Sequence, residues 1–506
     1  MRFRLVGHEY RYAVEQILLS LFPDERPVFS SDLDIGSDEL LSESRLSFGT
    51  VFAQSVTVIR CGDKVSRGFA RVRKDRLSDK LVSDRLLQRI IKQSFYRAAK
   101  DFVDSLPVWG SLTGIRPAHI AAASLNEGNS ADSVIKKMTR EYYVSPERAK
   151  MCVRAGAESL ALRSTLLPGD IALYVGIPFC PTRCTYCSFV SNSVEKSFGL
   201  IEPFVSVLLS EIEMAAETIR TLGLRVTSVY FGGGTPTSLP SVSLEAILSA
   251  MQSLFDFSHV REYTFEAGRP DTISEEKLDI IRRYGASRIC VNPQSMSDNV
   301  LSAIGRKHTA RDVIDAAHLV RKSGAAVNMD LIAGLPGDTP DSFRNTVDTV
   351  LDLSPEGVTI HTLSLKKGSK IMLEGTKIPD GTDVGLMLDY ASQRLTESGL
   401  FPYYLYRQKF TSGGFENTGW CLPGHKGVYN ICMMEELCTV IALGGGGATK
   451  LISADGRIER IFNAKYPREY ILFENKLREK YDKILSFVSG EDSPPHKQEV
   501  LYAISL

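Results

Sequence analysis

Three cysteines stand within eight residues, in the run Cys180-Pro-Thr-Arg-Cys184-Thr-Tyr-Cys187. Three thiolates on one short loop can hold three irons of a cubane cluster and leave the fourth iron open to a bidentate small molecule. A structural zinc site ordinarily needs a fourth ligand and pairs two short Cys units, and no second unit lies nearby. Buried structural cysteines rarely take this spacing, so an iron–sulfur loop is the expectation. Cys421 and His425, with Cys432 and Cys438, form a second candidate set. Cys432 and Cys438 lie among Ile, Met, Leu and Val at core-like spacing, so they read as small core residues, as do Cys61 and Cys152.

The elements that must position such a loop are legible around it. Over residues 170–363, apolar β-branched runs alternate with amphipathic segments, the signature of βα units on a parallel sheet. Strands are expected at 171–177, 226–231, 262–266, 287–291, 326–332 and 358–363, and helices at 203–221, 244–254, 275–284, 310–322 and 340–353. Six units are too few for a closed eight-stranded barrel, so the expected fold is α/β with a partial (β/α)6 barrel. In parallel α/β folds ligands bind beyond the carboxyl ends of the strands. The unusual polar and Gly residues fall there. Gly232-Gly233-Gly234-Thr235-Pro236 follows strand two, Glu266 ends strand three, and Gln294 follows strand four. Asp330 lies in strand five ahead of the Gly334-Leu-Pro-Gly337 turn, and Arg306 offers a guanidinium that can pair with a carboxylate.

Three domains are expected. Residues 1–165 mix strand-like runs (2–6, 49–60, 68–72) with a helix at 83–105, an α/β domain of unknown role. Its Leu112 to Pro117 turn places Arg116 at a helix start beside a Pro-set cap. Residues 166–380 form the barrel. Residues 381–506, rich in Gly, Tyr and Lys and ending in a helical tail at 467–487, form a C-terminal α+β domain covering the barrel's opening.

The Cys loop, with Tyr186 before its last Cys, resembles that of the radical S-adenosylmethionine (SAM) enzymes. Within them, Tyr174-Val-Gly-Ile-Pro-Phe-Cys180, the Gly232 to Thr237 run, Glu266, Gln294, Ile304-Gly-Arg306-Lys-His-Thr309 and Asp330 to Gly337 resemble the oxygen-independent coproporphyrinogen III oxidase family, in order. The Arg116 turn, Glu266-Ala-Gly-Arg-Pro270, residues 403–409, Phe415-Glu-Asn417 and 429–436 look like its longer HemZ-type branch. The resemblance implies a [4Fe-4S] cluster on Cys180, Cys184 and Cys187, with Tyr186 on the same loop contributing to the cofactor site. It implies that Tyr174, Gly233 and Glu266 contact one SAM, and Gly234, Thr235, Gln294, Arg306 and Asp330 a second. Tyr174 and Glu266 are implied as catalytic. The implied activity is radical-driven oxidative decarboxylation of coproporphyrinogen III to protoporphyrinogen IX, with an external one-electron donor and acceptor. Two departures stand out: Gly176 and Ser188 occupy places where the family's best-known members carry a His and a further Cys.

A tetrapropionate macrocycle needs cations and an aromatic, Gly-lined slot. The chain offers Lys366, Lys367, Lys370, Arg407, Lys409, Lys426 and Lys450, with Tyr403, Tyr404, Tyr406, Phe415, Trp420, Tyr429 and the Gly444 to Gly447 run. An ordinary solvated surface would look the same. Two rivals to the enzyme are a haem chaperone of the same family and a radical SAM enzyme acting on RNA. The 506 residues carry 60 Lys and Arg against 60 Asp and Glu, a balance that gives no argument for nucleic acid or an anionic membrane. No apolar stretch reaches the about 18 residues of a membrane helix, and the first ten residues are too charged for a signal peptide, so a cytoplasmic location is expected.

Overall fold

The computed structural model describes residues 1–30, 40–187, 192–366, 369–408, 411–472 and 474–490. Two compact units divide them: Met1–Val153 with Gly413–Phe415, and Arg154–Ser412 with the chain from Glu416 onward. The expected borders at 165 and 380 are therefore not the borders of the compact units.

In the first unit, β1 (Arg2–Val6), β2 (Val28–Phe29), β3 (Leu41–Phe48), β4 (Phe52–Cys61) and β5 (Lys64–Arg73) form one sheet in the order β2-β1-β3-β4-β5. Helices Arg11–Leu21 and Lys80–Ala99 cover one face, and Phe3, Ile17, Leu18, Ile59 and Phe95 form the core between. Asp79 caps the second helix by accepting from the Val82 N–H. As expected, Arg116 is the N-cap of a helix, Pro117–Asn126, with proline at its first position.

The second unit is built on one open sheet of eleven strands. Its centre is six parallel strands in sequence order: β6 (Asp170–Ile177), β9 (Arg225–Gly233), β10 (Glu262–Glu266), β11 (Arg288–Cys290), β12 (Ala326–Ala333) and β13 (Gly357–Thr362). Helices at Ile201–Thr221, Ser241–Leu254, Glu275–Arg283, Ala310–Lys322 and Pro340–Asp352 connect them. Thr309 and Thr339 start the last two with reciprocal capping boxes. Both faces of a parallel sheet are covered, which is why these strands read as continuous apolar runs. The short pair β7 (Phe179–Cys180) and β8 (Asn192–Ser193) brackets the cysteine loop.

Residues after 380 extend this same sheet. β14 (Phe401–Arg407) and β15 (Glu416–Cys421) join antiparallel beside β13. β16 (Thr439–Gly444) runs parallel beside β6, followed by β17 (Ala448–Ile452) and β18 (Ile458–Phe462). No described helix is long and apolar enough to cross a membrane.

The departure at Gly176 has a steric reason. A Cβ there would lie 2.6 Å from the Gly445 carbonyl oxygen, because the β16 strand end packs directly on β6. Gly444, at φ +79, would in turn put its Cβ 2.2 Å from the Gly176 oxygen. The two backbones touch, and no side chain fits between them. Ser188, the other departure, lies outside the described residues, as do Lys367 and Lys409.

Candidate functional site

Cys180 ends β7 and Cys184 and Cys187 follow on the adjoining loop, all three partly exposed. All nine cysteines of the chain are unbridged thiols. The loop is pinned from outside: the Thr185 N–H donates to the Ile304 carbonyl (3.0 Å), and the Ile371 N–H to the Thr185 carbonyl (3.2 Å). Donors face the sulfurs. The Thr235 hydroxyl lies 3.6 Å from Cys180 Sγ, and Arg269 Nη1 lies 3.7 Å from Cys184 Sγ. Arg269 is buried and also donates to the Thr182 hydroxyl (3.1 Å). Hydrogen-bond donors of this kind stabilise thiolates and set the potential of a cluster held by them. Among the described residues no three His, Cys, Asp or Glu side chains converge on one point as a single ion requires. Three thiolates on one short loop, with donors facing their sulfurs, fit three corners of a cubane.

The glycine run serves the loop first. A Cβ on Gly234 would sit 2.4 Å from the Phe179 carbonyl oxygen, and Gly233 adopts φ +99 against Ile177. The Gly234 N–H donates to Ile177 (2.8 Å) and the Thr235 N–H to Phe179 (2.7 Å), so this backbone holds the strand leading into Cys180.

Inside the strands, polar side chains converge. The Tyr230 hydroxyl donates to Glu266 Oε1, and Asn292 Nδ2 donates to Oε2 (2.7 Å). Burial and then the Asp330 carboxylate push the Glu266 pKa up to about 7, against the pull of the Tyr230 and Asn292 hydrogen bonds. Asp330 accepts from Asn328 (3.0 Å) and faces His361 Nε2 at 3.5 Å. Burial opposes charge on His361, but the Asp330 and Asn417 contacts outweigh it and raise its pKa. Tyr230, Asp330 and His361 border a cavity of about 140 Å³, with Tyr404, Tyr406 and Arg288. Tyr174 lies above Tyr429 and beside Tyr230, ring centroids 6.0 and 6.3 Å apart. Gly176 and Gly232 leave room for these rings.

At the rim, Gln294 holds a left-handed backbone (φ +68), a conformation a non-glycine residue keeps only when its surroundings enforce it. Its N–H bonds the Asp330 carbonyl (2.9 Å), its carbonyl accepts from Ile332 (3.0 Å), and its buried side-chain Oε1 has no hydrogen-bond partner. Asn292 Oδ1 is likewise unpaired. Two orphaned acceptors, one on the Asn292 side chain that bonds Glu266, suit a ligand bearing ammonium, amine or hydroxyl donors, as SAM does. Arg306 is buried, donating to the Asn292 carbonyl and to the Tyr186 hydroxyl (3.2 Å). Tyr186 thus bridges the cysteine loop to the rim. Every implied cluster and SAM residue is on this end of the sheet or on the inner face just below it.

A model of the radical SAM superfamily matches residues 174–350. A HemZ protein of Bacillus subtilis (strain 168) is 39% identical over 369 residues, 72% of this chain and 74% of its own length. The chain belongs to the radical SAM superfamily, on the HemZ-like branch of the oxygen-independent coproporphyrinogen III oxidase family. Heme chaperone HemW of Escherichia coli (strain K12) is 25% identical over 302 residues, 60% of this chain and 75% of its own. The solved coproporphyrinogen III oxidase HemN of Escherichia coli shares the fold, with a TM-score of 0.50 at 19% identity over 64% of this chain and 72% of that one. Radical SAM enzymes use a [4Fe-4S] cluster and SAM, which together supply a 5'-deoxyadenosyl radical when bound. Here Cys180, Cys184 and Cys187 would hold the cluster.

Among the described residues, several of the expected substrate cations and aromatics are held elsewhere, while Tyr404 and Tyr406 border the cavity. Lys426 pairs with Glu158 (3.2 Å), and buried Lys450 donates to the Met433 carbonyl (2.9 Å) and faces Glu436. Tyr403, Tyr404, Trp420 and Tyr429 are core residues, and Lys370 is paired on an exposed helix with Glu374 (3.5 Å). Composition could not separate these buried aromatics from a ligand slot. Sequence reading also missed Tyr230, Asn292 and His361. Tyr230 and His361 are inward positions in β9 and β13, and Asn292 lies just past the end of β11; their convergence comes from pairing between strands, which no local pattern encodes. Arg269 lay in a quoted string but had no assigned role.

Cys421 is fully buried on β15 with its thiol pKa pushed up to about 12, chiefly by burial, and the His425 carbonyl accepts from Arg288. Neither suits a thiolate metal site. Replacing Cys421 by Ala and His425 by Gln together should leave iron per chain unchanged, as measured by colorimetric iron assay.

Proposed function

We propose that this protein catalyses the oxygen-independent oxidative decarboxylation of coproporphyrinogen III to protoporphyrinogen IX. Two propionates each lose a β hydrogen, carbon dioxide and one electron, the electron passing to an external acceptor, and two vinyl groups result. What carries the reading is the likeness to HemZ, whose name describes it as oxygen-independent coproporphyrinogen-III oxidase-like, together with the Glu266 and Asp330 carboxylates that face each other in the strands. Glu266, with Tyr174 and the Gly233 backbone, orients one SAM; Gln294, Arg306, Asp330, Gly234 and Thr235 provide for a second.

Anaerobic incubation with SAM, a low-potential reductant and coproporphyrinogen III tests this. Protoporphyrinogen and deoxyadenosine forming together support it, and deoxyadenosine without protoporphyrinogen rejects the substrate. The likeness to HemW favours a second reading, a haem chaperone. Stoichiometric haem binding with a Soret band and no turnover would favour it over the enzyme.

Glu266 also gives a pH signature. Below about pH 7 its carboxyl is protonated and neutral; above, it is ionised. A cationic ligand prefers the ionised form, so SAM affinity should rise up to about tenfold per pH unit below pH 7 and level off above it. Loss of a proton from His361 adds in the same direction. Glu266→Gln should flatten most of this dependence in anaerobic equilibrium dialysis between pH 6 and 8; an unchanged slope would remove Glu266 from the SAM site.

A further inference from the structure

Among the described residues, helices Arg11–Leu21 and Lys80–Ala99 pack on one face of the N-terminal sheet. Ser55 and Thr57 of β4 share hydrogen bonds with the Ser94 hydroxyl (both 2.8 Å) on the Lys80–Ala99 helix, and Gly68 of β5 meets the same helix. Alternation sends their strand neighbours to the opposite face. There β1 contributes Arg2 and Arg4, β3 Arg45, β4 Arg60, and β5 Arg67 and Arg71, with Arg73 at the strand end paired to Asp75 (2.8 Å). Register makes them a continuous field: Arg4 pairs with Glu43, Glu43 with Val58, and Val58 with Arg67. Glu43 is the one acidic strand residue on this face among the described residues, and it already accepts from Arg4 and Arg45. A net charge of zero for the chain hides this segregation.

The face is also aromatic. Phe69 is 43% exposed in the middle of β5, and the Arg71 guanidinium lies 4.3 Å above the Phe52 ring. Arginines of this kind match phosphate oxygens in pairs and stack on planar rings. Residues two apart on a strand stand about 6.8 Å apart, and neighbouring strands about 4.8 Å. Guanidinium groups at those intervals around an exposed phenyl ring form a flat platform with both a charge and a stacking component. A duplex offers no unstacked base to such a platform; a single strand does.

We propose that this outer face of the N-terminal sheet binds single-stranded nucleic acid. The proposal does not rest on the porphyrinogen reading. The probe is a fluorescein-labelled 12-nucleotide single-stranded RNA of mixed sequence, titrated by anisotropy with the full-length, cluster-loaded protein. Binding should be saturable at 50 mM salt and weaken about 50-fold at 200 mM if four phosphates are contacted. Arg67→Glu with Arg71→Glu should lower affinity on the order of tenfold or more. Phe69→Ala should lower it roughly tenfold for the single strand and leave a duplex of the same length unaffected. All three residues are exposed, so the variants should retain wild-type melting. No binding at 50 mM salt, binding unaffected by the double charge reversal, or equal loss for duplex and single strand on Phe69→Ala would overturn the proposal. So would retention by phosphatidylserine vesicles without any RNA binding, which would make the face a membrane contact.

Discussion

Cys184→Ser, like Cys180→Ser or Cys187→Ser, will yield a protein holding well under the about four irons per chain of a cubane and producing no detectable 5'-deoxyadenosine. Each thiolate would hold a separate corner, and no other Cys is placed to replace it. Cys290, Cys421, Cys432 and Cys438 are buried in the strands and core, and Cys61 and Cys152 belong to other parts of the chain. A serine hydroxyl at this spacing keeps the loop's shape, so melting should change little while iron, absorbance and SAM cleavage are lost together. Retention of near-stoichiometric iron in all three variants would exclude the loop as the cluster site.

The second large effect lies far from the loop in sequence. Glu211, in the middle of the Ile201–Thr221 helix, is fully buried, and Lys480 of the Glu474–Ser489 helix reaches it at 2.7 Å. The carboxylate also accepts from the Gly444 N–H (2.7 Å), Asn463 Nδ2 (2.9 Å) and the Tyr470 hydroxyl. Burial pushes the Lys480 pKa down while Glu211 sustains its charge. Removing one partner of such a pair leaves an uncompensated buried charge and costs about 3–5 kcal/mol. Lys480→Met should therefore lower the melting temperature by roughly 4–7 °C for a unit of this size. Glu211→Gln with Lys480→Met removes both charges and should recover much of that loss, since it is the orphaned charge that is expensive. The hub also fixes Gly444, whose backbone abuts Gly176 four residues before Cys180. Lys480→Met should accordingly bind less iron than the double variant at equal folded fraction. Equal melting of Lys480→Met and wild type would show that the pair contributes no net stability.

The barrel was readable because its strands are buried on both sides. Runs such as residues 171–177 are mostly apolar along their length, and the expected six strands each fall within two residues of the observed ends. The cysteine loop was readable because its spacing has few other uses. β3 was not: its inward residues include Ser42 and Ser44, both fully buried, so the strand shows no apolar period. β15 hid for a similar reason. Asn417, Thr418 and Gly419 are buried within it, and polar buried residues look like a loop to any hydropathy pattern. The extension of the sheet beyond residue 380 followed from pairing partners distant in sequence, such as Thr439 with Ile171, which no local periodicity encodes. At the site, Glu266 was found from its place at a strand end and Asp330 from its place ahead of the Gly334 to Gly337 turn, whereas the proximity that raises the Glu266 pKa came only from the fold.

The central claim is that three thiolates leave one iron of a cubane open to SAM. Electron paramagnetic resonance of the anaerobically reconstituted, reduced protein addresses it directly. The expected result is a [4Fe-4S] signal whose g values shift when SAM is added, in proportion to SAM bound. Tetrahedral zinc in place of iron, or a cluster signal that added SAM leaves unaltered, would contradict it.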